Sequence, residues 1–164
     1  MDSRTHRKFA RLLNILLGGA LLAALDFAYA VITVTEVVTP SLGTFFSGAS
    51  GRQFILNTDE TVSGTDAGDF LFGAVSGQLT LVGENAGVNI VAENITTSGG
   101  VTVNAIPCRF HIGAQTTCDG AGINEQIKKN AARTLYVGVD LTTSQVHNGG
   151  DTASATFDIT VTVL

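Results

Sequence analysis

The segment Ala155-Thr156-Phe157-Asp158-Ile159-Thr160-Val161-Thr162-Val163 alternates without a break, with apolar side chains at the odd positions and polar ones at the even positions. A period of two belongs to an extended strand, whose successive side chains point to opposite faces. The segment therefore predicts a half-buried strand, and such a strand needs further strands to cover it. The rest of the chain offers shorter pieces of the same kind.

Val31–Thr39 alternates, with Ile32, Val34 and Val38 on one face beside Glu36, and Pro40 stops it. Further strands are predicted at Leu42–Phe46, Gln53–Asn57, Phe70–Val75, Gln78–Val82, Val88–Ala92 and Val101–Ala105, and Arg109–Ile112 lies between the two cysteines. Thr134–Leu141 sets Leu135, Val137 and Val139 on one face, with Tyr136, Gly138 and Asp140 on the other. Turn chemistry separates these pieces at Gly48–Gly51, Ser76-Gly77, Ser98-Gly99-Gly100 and His147-Asn148-Gly149-Gly150-Asp151. Residues 58–69 read as loop with a short strand inside. Ile123–Ala132 is the one helical expectation: Ile123, Ile127 and Ala131 recur at i+4, and Glu125 can reach Lys129. Seven to nine short strands with turns between them predict an all-β fold, an antiparallel β-sandwich.

The first thirty residues read differently. Arg4, Arg7, Lys8 and Arg11 form a basic start, Leu12–Leu25 is an apolar stretch, and Ala28-Tyr29-Ala30 is a small-x-small site. That layout predicts a secretory signal peptide, residues 1–30, cut between Ala30 and Val31. The apolar run is short for a membrane span, which needs about 20 residues, and Asp26 closes it. No membrane span is expected after cleavage. Residues 31–164 then form a single β-sandwich domain, which opens directly on an alternating strand.

Removing the leader leaves five basic residues against twelve Asp and Glu. An acidic product has no electrostatic attraction for nucleic acid. Charged residues make up only 14% of the whole chain, and Trp is absent. Low charge argues against a disordered acidic tail. Thr and Gly dominate instead, as pleated surfaces and turns require.

Two cysteines, Cys108 and Cys118, enclose nine residues. In an exported chain a disulfide is the default. The rival readings are a redox pair, which favours closer spacing, and a metal pair, for which His111 would make only a third ligand. His147 sits in a glycine turn and reads as solvated. No Gly-x-Ser-x-Gly elbow frames a serine, so no enzyme and no catalytic residue is expected. Asp66 with Asp69, and Asp151 beside Asn148, lack the spacing of a calcium loop. No cofactor is expected. Asn94-Ile95-Thr96 is a glycosylation sequon, relevant in a eukaryotic host alone.

Two stretches together carry a family resemblance. One is Pro40-Ser41-Leu42-Gly43-Thr44 leading to Gly77-Gln78-Leu79-Thr80-Leu81-Val82-Gly83. The other is Leu135-Tyr136-Val137-Gly138-Val139-Asp140-Leu141, then Gly149-Gly150-Asp151 and the alternating end from Ala155 to Val163. The chain resembles the bacterial secreted family called domain of unknown function 4402, over most of residues 31–164. That family is similar in outline to the spore-coat-U-like pilins of chaperone–usher systems. The resemblance implies an immunoglobulin-like sandwich, completed by strand complementation between subunits. It also implies a periplasmic chaperone and an outer-membrane usher as partners. This sequence departs from the pattern at its end, Val163-Leu164, in the cysteine loop and at Lys128-Lys129.

Two functions follow as expectations. The first is a structural subunit of a bacterial extracellular filament or fimbria, exported through the periplasm and partnered by copies of itself. Its donor strand would be Ile32, Val34 and Val38, filling a groove in the next subunit. The second is a monomeric secreted or periplasmic β-sandwich binding module, in which the same strand pairs within its own domain. Sugar platforms usually expose aromatic rings, and after the leader Tyr136 is the sole Tyr.

Overall fold

The structure, a computed structural model, describes residues 32–38, 41–45, 49–64 and 71–164. The leader, its cleavage site at Ala30 and Val31, and the Asp66–Asp69 pair lie outside the described residues. Among the described residues every regular element is a strand. In chain order these are β1 (Ile32–Val38), β2 (Thr44–Phe45), β3 (Gln53–Leu56), β4 (Val62–Gly64), β5 (Leu71–Phe72), β6 (Gly77–Gly83) and β7 (Ala86–Ser98). They continue with β8 (Val101–Ala105), β9 (Pro107–Phe110), β10 (Thr116–Thr117), β11 (Ile123–Ile127), β12 (Arg133–Val137), β13 (Val139–Thr143) and β14 (Ser154–Val163).

All strand pairs are antiparallel. One sheet has the order β1-β6-β12-β9-β10, a second β11-β7-β14, a third β4-β3-β13-β8, and β2 pairs β5. The first and third sheets are joined through two long runs of chain. β12 passes into β13 at Gly138, and β8 passes into β9 at Ile106. Alternation survives the passage: Leu135, Val137, Val139 and Leu141 are all buried. Gly138 is where this run comes closest to β3. A Cβ there would sit 1.9 Å from the Leu56 carbonyl oxygen, well inside any tolerated contact. Its N–H donates to Pro107 O at 2.7 Å, tying the bend to the neighbouring run.

The sheets share one core. Leu81, Leu135, Val137, Cys108 and Phe110 from the first sheet pack in the same cluster as Val88, Ile90, Ala92, Ile123 and Ile127 from the second. Phe54, Val139 and Leu141 extend it into the third. This is the antiparallel, layered arrangement of a β-sandwich. Glu84-Asn85 carries β6 straight into β7, and the turn after β11 leads into β12, so the first two sheets are linked through two connections. Thr44, downstream of β1, forms a bridge with Thr152, just ahead of β14.

The helix expected over Ile123–Ala132 is absent. Ile123–Ile127 is β11, paired with β7 from Ile123↔Ile90 to Ile127↔Ala86. A spacing of four satisfies a period of two as well as one of 3.6, so Ile123 and Ile127 share a face in either geometry. Burial against β7 decides between them, and Ile127 is 1% exposed. After Lys128 the chain turns through Asn130, at φ 56°, into β12.

Candidate functional site

β1 bonds antiparallel to β6, with Ile32↔Gly83, Thr33↔Val82, Val34↔Leu81 and Thr35↔Thr80 in register. Directly opposed residues share a face, and Leu81 is fully buried. Val34 therefore points to the core side, as does Ile32, which packs against the cluster. Yet Val34 remains 42% exposed. A register shift between Glu36 and Val38 places Val38 opposite Gln78. Val38 thus falls out of the register that Ile32 and Val34 keep, and the regular pairing ends at Glu36. The three residues read as a donor face lie together on an edge strand whose ladder neighbour, among the described residues, is β6 alone.

Cys108 and Cys118 are joined, with their Cα atoms 5.8 Å apart, and both are fully buried. The bridge fixes more than its own loop. Cys118 N–H donates to Ile106 O, and Cys118 O accepts from Ala92 N–H, both at 2.9 Å. Asp119 Oδ1 accepts the Ile106 N–H at 2.9 Å. The cysteine loop thereby ties β8–β9 to β7 in the facing sheet.

His147 is not solvated, contrary to its turn-rich surroundings. It is 2% exposed, with Nε2 at 3.3 Å from Gly100 O and Nδ1 at 4.0 Å from Asp151 Oδ2. The turn after β13 folds back over the β7–β8 turn, where Ser144 N–H also bonds Gly100 O. Asp151 spends its carboxylate on the Asn148 N–H at 2.8 Å, closing the turn. Asn94 of the sequon stands at φ 55° and donates to Asp158 Oδ2 at 2.7 Å.

An open cleft of about 220 Å³ is lined by Phe110, His111, Ile112, Gly113, Glu125, Gln126 and Arg133. Arg133 Nη1 approaches His111 Nε2 at 2.5 Å. Arginine can only donate, so Nε2 is the acceptor in this contact. Glu125 occupies the inward position between Ile123 and Ile127, where burial pushes its carboxyl above the ordinary value. The period-two reading of β11 was the signal that would have placed Glu125 there. On the first sheet, the Arg109 guanidinium stacks 4.4 Å above the Tyr136 ring, so this tyrosine is already covered on one side.

Among the described residues no group of three or more His, Cys, Asp or Glu is gathered as a metal-ligand set. No helix among them is long and apolar enough to cross a membrane. No family model matches the chain, and neither a curated protein nor a solved structure matches it. Fold and edge geometry together define a class, an antiparallel β protein with open sheet edges, and the functional reading rests on them and on the sequence.

Proposed function

We propose that the protein is a structural subunit of a bacterial extracellular filament or fimbria, assembled by β-strand donation. Residues 32–38 of one copy lie on β6 of the next, in the register that β1 adopts on its own β6. The observation that carries this reading is the state of β1: an edge strand with a single ladder partner among the described residues, and an inward-facing Val34 that its own domain leaves 42% exposed. Exchanging an identical element conserves every ladder contact, so the same sequence that pairs within a chain pairs between chains. Export through the periplasm rests on the layout of residues 1–30. A periplasmic chaperone and an outer-membrane usher enter as partners through the family resemblance. The second reading, a monomeric secreted binding module, is supported by the cleft beside Arg133.

Thr33 and Val82 are register partners, and both are exposed. Protein carrying Thr33→Cys alone is mixed with protein carrying Val82→Cys alone under filament-forming conditions. Strand donation yields a disulfide-linked pair of unlike chains on a non-reducing gel. Cross-linking confined to the double variant, within one chain, overturns it in favour of the monomer.

A further inference from the structure

The longest open strand edge among the described residues belongs to β14 rather than to β1. β14 runs for ten residues, and among the described residues its ladder partner is β7 alone. Natural sheets blunt such an edge with proline, lysine, a bulge or an inward-pointing charge. β14 has none of these. Its sequence, Ser-Ala-Thr-Phe-Asp-Ile-Thr-Val-Thr-Val, holds no proline and no basic residue. The irregularity in its pairing, where Thr156↔Thr96 is followed by Asp158↔Glu93, puts the extra residue on β7, beside Asn94. β14 itself stays regular, exposed and half-buried residues alternating from Ser154 to Val161. Its inward strip, Ala155, Phe157, Ile159 and Val161, packs against the core without being fully covered, and Val163 is 43% exposed.

We propose that β14 pairs antiparallel with β14 of a second copy across a two-fold axis, making one continuous sheet β11-β7-β14-β14-β7-β11. The chemistry of the strand selects a second copy as occupant. Self-pairing keeps apolar residues on one face and hydroxyl-bearing ones on the other only if the paired positions have the same parity. An axis through Asp158 would oppose two carboxylates, which is unfavourable. An axis through Ile159 avoids this and keeps nearly the whole strand paired: Phe157 meets Val161, Thr156 meets Thr162, and Asp158 meets Thr160. Each of these polar meetings already has its like against β7. Thr156 and Thr96 share a hydrogen bond at 2.6 Å, Ser154 and Ser98 one at 2.7 Å, and Thr160 donates to the Glu93 carboxylate. A two-fold interface is self-complementary by construction, as this register is. The interface is separate from β1 and does not rest on strand donation.

The test uses the secreted protein with single cysteines in β14. Directly opposed residues in antiparallel strands stand about 4.5–5.5 Å apart at Cα, within disulfide reach. Ile159→Cys forms a disulfide with its own copy. Asp158→Cys and Thr160→Cys each remain monomeric on a non-reducing gel, and link to one another when mixed. Val163→Lys, at a position already partly exposed, turns an ammonium toward the apolar strip and weakens self-association in sedimentation by about tenfold or more. Its melting temperature stays near that of the parent. A wild-type protein that sediments as a monomer, with no self-linking at Ile159→Cys, overturns the interface. So does self-association that survives Val163→Lys, or a β14 edge that links only to a different protein. The mixed Thr33→Cys and Val82→Cys experiment reads strand donation separately, so loss of one interface leaves the other visible.

Discussion

Gly138 shows how much a single atom decides here. A methyl group at this position would overlap the backbone carbonyl of Leu56, an atom that cannot swing aside as a side chain can. Gly138→Ala should therefore push β3 off β13 and destabilise the protein by about 3 kcal/mol, read from urea denaturation. Glu125 gives a second prediction of opposite sign. Its carboxyl is raised by burial, so the folded chain holds the proton more tightly than the unfolded chain. The stability it contributes is fully present below the ordinary carboxylate range and is lost as pH rises through the folded value. Glu125→Gln should melt higher than the parent at neutral pH. The gap should close as the solution is acidified. A constant gap across that range would assign the effect to packing instead. His147 belongs to the same scale. Its glycine-rich neighbours suggest water, but the Gly100 carbonyl opposite it offers the ring an inward partner.

Among the elements, β11 and the cysteine loop carry the most. β11 exists as a strand because β7 offers it five consecutive partners, which a lone amphipathic segment of this length could not match with a helix. The cysteine loop closes ten residues of separation and anchors both sheets. Replacing Cys108 and Cys118 together with alanine should lower stability by about 2–3 kcal/mol on loop entropy alone, measured by thermal or urea unfolding. Labelling of both cysteines in folded, non-reduced protein would contradict the bridge. At β1 the ladder to β6 supplies the register. The side chains supply less, since Thr33, Val34 and Thr35 are all exposed.

For the whole molecule, the proposed function turns on its edge strands, β1 and β14. Val34→Asp tests the β1 edge. In the filament reading the donated strand then sets a carboxylate on its core-facing side against the next subunit's β6, which is unfavourable. The expected outcome is a folded subunit with an unchanged melting temperature that yields no filaments in electron micrographs. In the monomer reading the same change lowers the melting temperature of the isolated domain and there is no filament to lose. The acidic balance of residues 31–164 adds a salt dependence. In the filament reading like-charged subunits repel, so moderate salt should speed assembly by screening.

The sequence by itself determined the class of the fold, because strict alternation at Ala155–Val163 and at Leu135–Leu141 has one extended solution. It determined the glycine turns around Gly99-Gly100 and the pairing of two cysteines ten positions apart, both local matters of backbone freedom and reach. Tertiary structure decided whatever needed a second segment to be present. Ile123 and Ile127 are equally spaced for helix and strand, and β7 broke the tie. Gly138 alternates like its neighbours, and the approach of Leu56 made it the bend between two sheets. Val34 falls on the apolar face of its strand by pattern, and the structure leaves it 42% exposed. Periodicity records which way a side chain points. What it meets there depends on a partner strand that is distant in sequence.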